Sequence, residues 1–139
     1  MEQEIFDLLF NCRKMIEDTL LSIPDQGSQR KYQAKNIDDE NESFSLVINR
    51  KGHLNKNTLT YLLSSRFGVM VRLDMRGAPH NDVETPHVHI FDEIHNNGRD
   101  AIHLSKLTDI TILEDIYDSL SFFLEYNNFE EIDIDTTLF

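Results

Sequence analysis

VMVRLDMRGAPHNDVETPHVHIF, Val69 to Phe91, sets two alternating runs on either side of a loop that no helix can occupy. In VMVRLDM, Val69, Val71 and Leu73 share one face and Met70, Arg72 and Asp74 the other; in HVHIF, Val88 and Ile90 oppose His87, His89 and Phe91. Successive side chains of a strand point to opposite faces, so both runs read as strands with one apolar and one polar side. Gly77, Pro79 and Pro86 break any helix between them.

Outward from this pair the same period recurs. SFSLVIN (Ser43–Asn49) alternates Phe44, Leu46 and Ile48 with small or polar neighbours, TLTYLLSS (Thr58–Ser65) follows a turn flanked by Lys51-Gly52 and Asn55/Asn57, and Phe67-Gly68 turns the chain into VMVRLDM. AIHLS (Ala101–Ser105) is a short last strand, with Ile102 and Leu104 inward and His103 outward. Ile5, Phe6, Leu9, Met15, Ile16 and Leu20 fall at helical spacings, predicting an amphipathic helix over residues 2–22 that ends at Pro24-Asp25-Gln26-Gly27-Ser28. RKYQAKNIDDENESF, residues 30–44, has few apolar anchors and reads as a loop or weak edge strand. Thr111 to Glu114 has the spacing of a capping box, and Ile112, Ile116, Leu120, Phe123 and Leu124 carry a second helix to about Tyr126. The tail EEIDIDTTLF is a short strand or an ordered strap. The sum is one α+β domain over residues 1–139: an N-terminal helix, a mostly antiparallel four- to five-stranded sheet, and a C-terminal helix.

Composition narrows the classes. A chain of 139 residues buries roughly two-thirds of its unfolded surface as one core. The single Cys12 forms no internal disulfide, MEQEIFDLLF is acidic where a signal peptide is basic, and no apolar run reaches the roughly 18 residues of a membrane span. A cytoplasmic protein with no membrane partner is expected. The formal net charge of −12 is uneven: Arg50, Lys51, Lys56, Arg66, Arg72 and Arg76 face a single acid, Asp74, in their segment, while nine acids follow Thr108 with no base. This polarity fits either a solvated acidic tail or a basic sheet face for phosphate with an acidic end for a basic protein.

The chemistry concentrates in the loop and the second strand. Residues i and i+2 of a strand lie about 6.6 Å apart on one face, so His87 and His89 present both rings to one small volume. Pro79 and Pro86 each precede a histidine and restrict the loop that carries His80. Three chemistries suit the pattern. A metal site would take a third ligand from His80, Asp74, Glu93 or His95. Metal-free acid/base catalysis would use imidazoles near their ordinary pKa of about 6.5 to cleave RNA through its 2′-hydroxyl, with Arg72 and Arg76 on the phosphate. Histidines that only order the loop through Asp74 or Glu93 would do neither. Tyr32, Tyr61 and Phe91 are the candidates for stacking on bases. His53 and His103 read as surface residues, and Cys12 as packing volume on the first helix.

VRLDMRGAPHNDVETPHVHIFDE resembles the signature of an uncharacterised bacterial domain family, R-x-D-x-x-G-x-P-H followed by a loop and P-H-x-H. Arg72, Asp74, Gly77, Pro79, His80, Pro86, His87 and His89 match that pattern, and the resemblance covers about two-thirds of the chain, from Phe44 onward. Family members carry an Asn-Pro-Asp-Gly turn where this chain has the shorter NDVET, and a basic residue where it has Asp92. More distantly the double P-H pattern is similar to TumE-type toxins, which implies the small RelE- and barnase-like fold. The resemblance implies a prokaryotic or phage protein of the defence and toxin world that acts on or binds RNA.

The expected activity is that of a metal-independent endoribonuclease needing no cofactor, with His87 and His89 as acid and base in either order, His80 as a third positioning or proton-transfer group, Asp74 orienting an imidazole, and Arg72, Arg76, Arg50 and Lys56 contacting RNA. The alternative is a non-catalytic acidic inhibitor, such as an anti-CRISPR protein, that docks a nucleic-acid-processing complex through residues 114–135.

Overall fold

The computed structural model describes residues 1–52, 58–113 and 115–135. Helix α1 (Gln3–Asn11) leads into strands β1 (Lys14–Ile16), β2 (Leu20–Ser22), β3 (Gln29–Asn36), β4 (Asp39–Asn49), β5 (Leu59–Ser65), β6 (Gly68–Arg76), β7 (His87–Ile90) and β8 (Ile102–His103), then helix α2 (Ile116–Tyr126) and strand β9 (Asp133–Asp135). Seven strands form an antiparallel sheet in the order β1-β3-β4-β5-β6-β7-β8, and β2 pairs in parallel with β9. The α+β class, the flanking helices and the antiparallel sheet are as the periodicity predicts.

The sheet is wider than the four or five strands expected because the polar stretch after Ser28 folds as β3 and residues 14–16 add β1 outside it. Only Tyr32 and Ala34 of β3 turn into the core. Its remaining residues face water or the sheet edge, which hides the strand from a hydrophobicity reading. The N-terminal helix is shorter than predicted: it stops at Asn11, and residues 14–22, which continue its apolar spacing, make β1 and β2 instead. Cys12 is the residue that caps α1, its thiol 3.2 Å from the Leu9 carbonyl oxygen. At the other end, α2 begins at Ile116, where the Asp115 carboxylate accepts from the Asp118 amide at 2.7 Å. The predicted cap Thr111 lies in a separate single turn, while Glu114, Lys56, His53 and the last four residues lie outside the described residues.

Cross-strand register gives the sheet two unlike faces. Ile48, Tyr61, Leu73, Val88 and Ile102 stand opposite one another across β4 to β8 and build the core face. Phe123 of α2 packs there, its ring 5.6 Å from that of Tyr61, and the Tyr61 hydroxyl meets Ser119 Oγ at 2.6 Å. The next row, Asn49, Thr60, Asp74, His87 and His103, faces the other way, as does Arg72 beside His89. Met70 does not join Arg72 and Asp74 on that polar face: it is the extra residue of a bulge, between partners Val69 and Val71, and is fully buried.

Lys14 joins the two helices. Its side chain is fully buried, and its ammonium donates to the carbonyl oxygens of Phe10 (2.9 Å), Cys12 (3.0 Å) and Asn127 (2.8 Å), acceptors that helix ends leave without partners. Burial pushes its pKa down to about 8, so the ammonium stays charged at neutral pH with three protons on three acceptors. Lys14→Met should remove all three bonds and lower stability by about 3 kcal/mol, read from urea unfolding. A loss below about 1 kcal/mol would mean that the helix ends are held by something else.

A candidate His/Asp centre beneath two loops

Asp74 is the hub of the polar face. Pairing of β6 with β7 sets it opposite His87 and sets Arg72 opposite His89, so the two imidazoles reach it from the neighbouring strand. Asp74 Oδ1 accepts from Thr60 Oγ1 at 2.8 Å and from Arg72 Nε at 2.9 Å. Oδ2 faces His87 Nε2 at 2.9 Å and His89 Nε2 at 3.3 Å. Burial alone would raise the Asp74 pKa, but the hydrogen bond and charge of Arg72, with the bond from Thr60, outweigh it and hold the carboxyl below the usual range. Burial lowers the His89 pKa, against the opposing pull of the Gly98 carbonyl and Asp74.

Two loops cover the centre and grip the far side of each ring. The first closes as a two-residue hairpin: His80 and Val83 exchange backbone hydrogen bonds of 2.9 Å around Asn81 and Asp82, which adopt φ of 47° and 66°. Short polar side chains tolerate that left-handed geometry. NDVET therefore turns without the Asn-Pro-Asp-Gly of the resembled pattern, and it presents the Val83 carbonyl oxygen to His87 Nδ1 at 3.0 Å. The second loop follows β7. Asp92 binds the His95 amide and ring at 2.8 and 2.7 Å, and Asn96, Asn97 and Gly98 all have positive φ. This turn aims the Gly98 carbonyl oxygen at His89 Nδ1, 2.8 Å away.

The predicted residues divide by this geometry. Asp74, His87 and His89 come together and are buried. His80 joins them from the loop, its ring 4.8 Å from His89 and 6.5 Å from His87, with Nε2 3.1 Å from the Arg99 carbonyl oxygen. Arg72 is half exposed at the rim and Arg76 is exposed at the end of β6. Arg50 is occupied elsewhere, donating to the Pro24 carbonyl oxygen at 2.9 Å. His95 pairs with Asp92 and stays outside the cluster. Tyr32 and Tyr61 are buried in the core and offer no surface for a base. His103 is half-buried, its Nδ1 2.7 Å from Ser105 Oγ. The expected basic face is also interrupted, since Arg66 lies 3.6 Å from Glu42 and over the Phe67 ring.

Thr60 and Gly98 escape a reading by motif. Thr60 enters through strand register, which the sequence does not print. Gly98 had a signal, a glycine after two asparagines, the residues that most readily turn left-handed.

Comparison with known protein families matches the model of a family of unknown function (DUF6978) to residues 1–129. The chain belongs to that family. The match spans α1, the whole seven-stranded sheet and α2, so the centre lies inside the DUF6978 domain. No curated protein and no solved structure matches.

Gly98 has φ +85°, and a Cβ there would come within 2.5 to 2.9 Å of the Phe91 ring. Gly98→Ala is expected to cost about 1–3 kcal/mol and to shift the ring resonances of His89, whose Nδ1 partner it moves. Unchanged stability and unchanged His89 resonances would contradict the role given to this turn.

Proposed function

We propose that the protein acts on RNA at the Asp74–His87–His89 centre, cleaving the phosphodiester backbone. The observation that carries this reading is the meeting of two imidazoles and one guanidinium around a single carboxylate, with a third imidazole, His80, beside the first two. RNA supplies its own nucleophile in the 2′-hydroxyl, so a site must hold the phosphate, stabilise charge on its oxygens and move protons. Arg72 at the rim suits the phosphate, whereas Arg76, paired with the core residue Leu59 past a bulge at Met75, faces the other side of the sheet. His80, in the loop, is the imidazole nearest the substrate in this reading. His87 is enclosed, with Nδ1 on the Val83 carbonyl oxygen and Nε2 toward Asp74, so it lines the inner wall of the centre and does not meet the substrate.

A second observation favours docking as the alternative. An open groove of about 920 Å³ between the N-terminal strands, α2 and β9 is lined in part by Asp18, Glu125, Glu130, Glu131 and Asp133. Arg13 neutralises one of these acids, binding Glu130 at 3.0 Å. The remainder fits the basic groove of a nucleic-acid-processing protein.

Purified protein incubated with mixed cellular RNA should produce discrete fragments. Arg72→Ala and His80→Ala should each slow this by about 100-fold or more while leaving the circular dichroism spectrum native. RNA left intact at enzyme excess would overturn the catalytic reading. Salt-sensitive binding to a basic nuclease assembly would then favour docking.

A further inference from the structure

We propose that Asp74 Oδ2, His87 Nε2 and His89 Nε2 together bind one divalent transition-metal ion of the zinc and iron class. A carbonyl oxygen can only accept, so Nδ1 of His87, facing Val83, and Nδ1 of His89, facing Gly98, both carry the proton. A neutral imidazole protonated at Nδ1 holds its lone pair on Nε2. With both rings neutral, these lone pairs are directed at the same carboxylate oxygen, itself electron-rich, 2.9 and 3.3 Å away. All three atoms lie within 4.8 Å of one another. A cation between them turns a repulsive meeting of acceptors into a set of bonds.

The surroundings fit the same assignment. Ions of this class bind imidazole nitrogen and carboxylate oxygen at about 2.0–2.2 Å, which places neighbouring ligand atoms about 3.0–3.4 Å apart. Metal-binding histidines commonly donate their other ring proton to a backbone carbonyl, as both do here, and ligating carboxylates are themselves hydrogen-bonded, as Oδ1 is by Thr60 and Arg72. Arg72 adds a positive charge nearby, but its side chain is about half exposed and solvent screens it. Two nitrogens and one oxygen from the protein leave positions open for water or substrate, the arrangement of catalytic sites rather than structural ones. His80, with its ring 4.8 Å from that of His89, borders those positions.

This departs from the metal-free expectation drawn from residue spacing, because spacing shows which rings are neighbours and not which nitrogens face each other. It stands apart from the choice of RNA as substrate: an ion held at this point would polarise a phosphoryl or a carbonyl oxygen equally well.

The test uses zinc alone, without nucleic acid. Full-length protein is dialysed against chelator, returned to chelator-free buffer and titrated with Zn²⁺ by calorimetry. One ion per chain is expected, with affinity lowered by more than about 100-fold in Asp74→Asn and His89→Gln and unchanged in His103→Ala. Thr60→Val, which removes only the outer hydrogen bond to Oδ1, should lower it by about 10-fold. X-ray absorption on the zinc-loaded native protein needs no variant: two imidazole nitrogens and one carboxylate oxygen at about 2.0–2.2 Å are expected. Less than stoichiometric uptake, equal affinity in Asp74→Asn and His89→Gln, or a first shell with sulfur or fewer than two imidazoles would each overturn the proposal. Zinc uptake without RNA cleavage would keep the metal site and discard the RNA reading.

Discussion

The Asp74 carboxylate divides its two oxygens between two strands, and the polar side of the molecule is arranged around that division. Oδ1 looks toward β5 and along β6, taking Thr60 and Arg72; Oδ2 looks toward β7, taking the two histidines. A buried carboxylate without partners would be costly, and removing one partner of such a group commonly costs several kcal/mol, on the order of 3–5. The register of β6 against β7 is therefore fixed twice, by Leu73 and Val88 on the core side and by Asp74 and His87 on the other. A slip of one residue would exchange the two sets.

Each imidazole is then held at its opposite end by a loop carbonyl, and each of those loops contains residues in left-handed geometry. Asn81 and Asp82 shape the hairpin that offers Val83, while Asn96, Asn97 and Gly98 shape the turn whose own carbonyl meets His89. Side chains fixed at both ends lose little further freedom when a ligand arrives, which is what a binding or reacting centre requires of its inner groups. His87 and His89 are fixed in this way, and His80 and Arg72 sit closer to solvent. The centre thus has a rigid floor and a polar rim. Its other face is the hydrophobic core, closed by α2 through Tyr61 and by Lys14 between the two helix ends.

Much of this could be read from the chain. Alternation in SFSLVIN, TLTYLLSS, VMVRLDM and HVHIF marks β4 to β7, and the pairing of Asp74 with His87 and His89 follows once those strands are antiparallel neighbours. Signals failed where polarity and burial part company. β3 has only two inward residues, Tyr32 and Ala34, and the spacing from Phe6 to Leu20 mimics one helix although the chain leaves helical geometry at Cys12. Burial of a lysine at position 14 runs against every composition rule, and the three carbonyls that converge there, with the rings of Phe10 and Phe44 beside the ammonium, explain it. In the site, what spacing cannot give is ring orientation. The turn at Asn96–Gly98 decides which nitrogen of His89 faces Asp74, and that turn lies seven residues or more along the chain.

In the proposed centre both inner histidines carry their proton on Nδ1, against a backbone carbonyl, with Nε2 turned to Asp74. Long-range proton–nitrogen NMR correlations of the isolated protein at neutral pH report this directly for each ring. A protonated Nδ1 is expected in both His87 and His89. A bare Nδ1 with the proton on Nε2 in either ring would contradict it, because the carbonyl grip and the convergence on Asp74 would then both be misassigned.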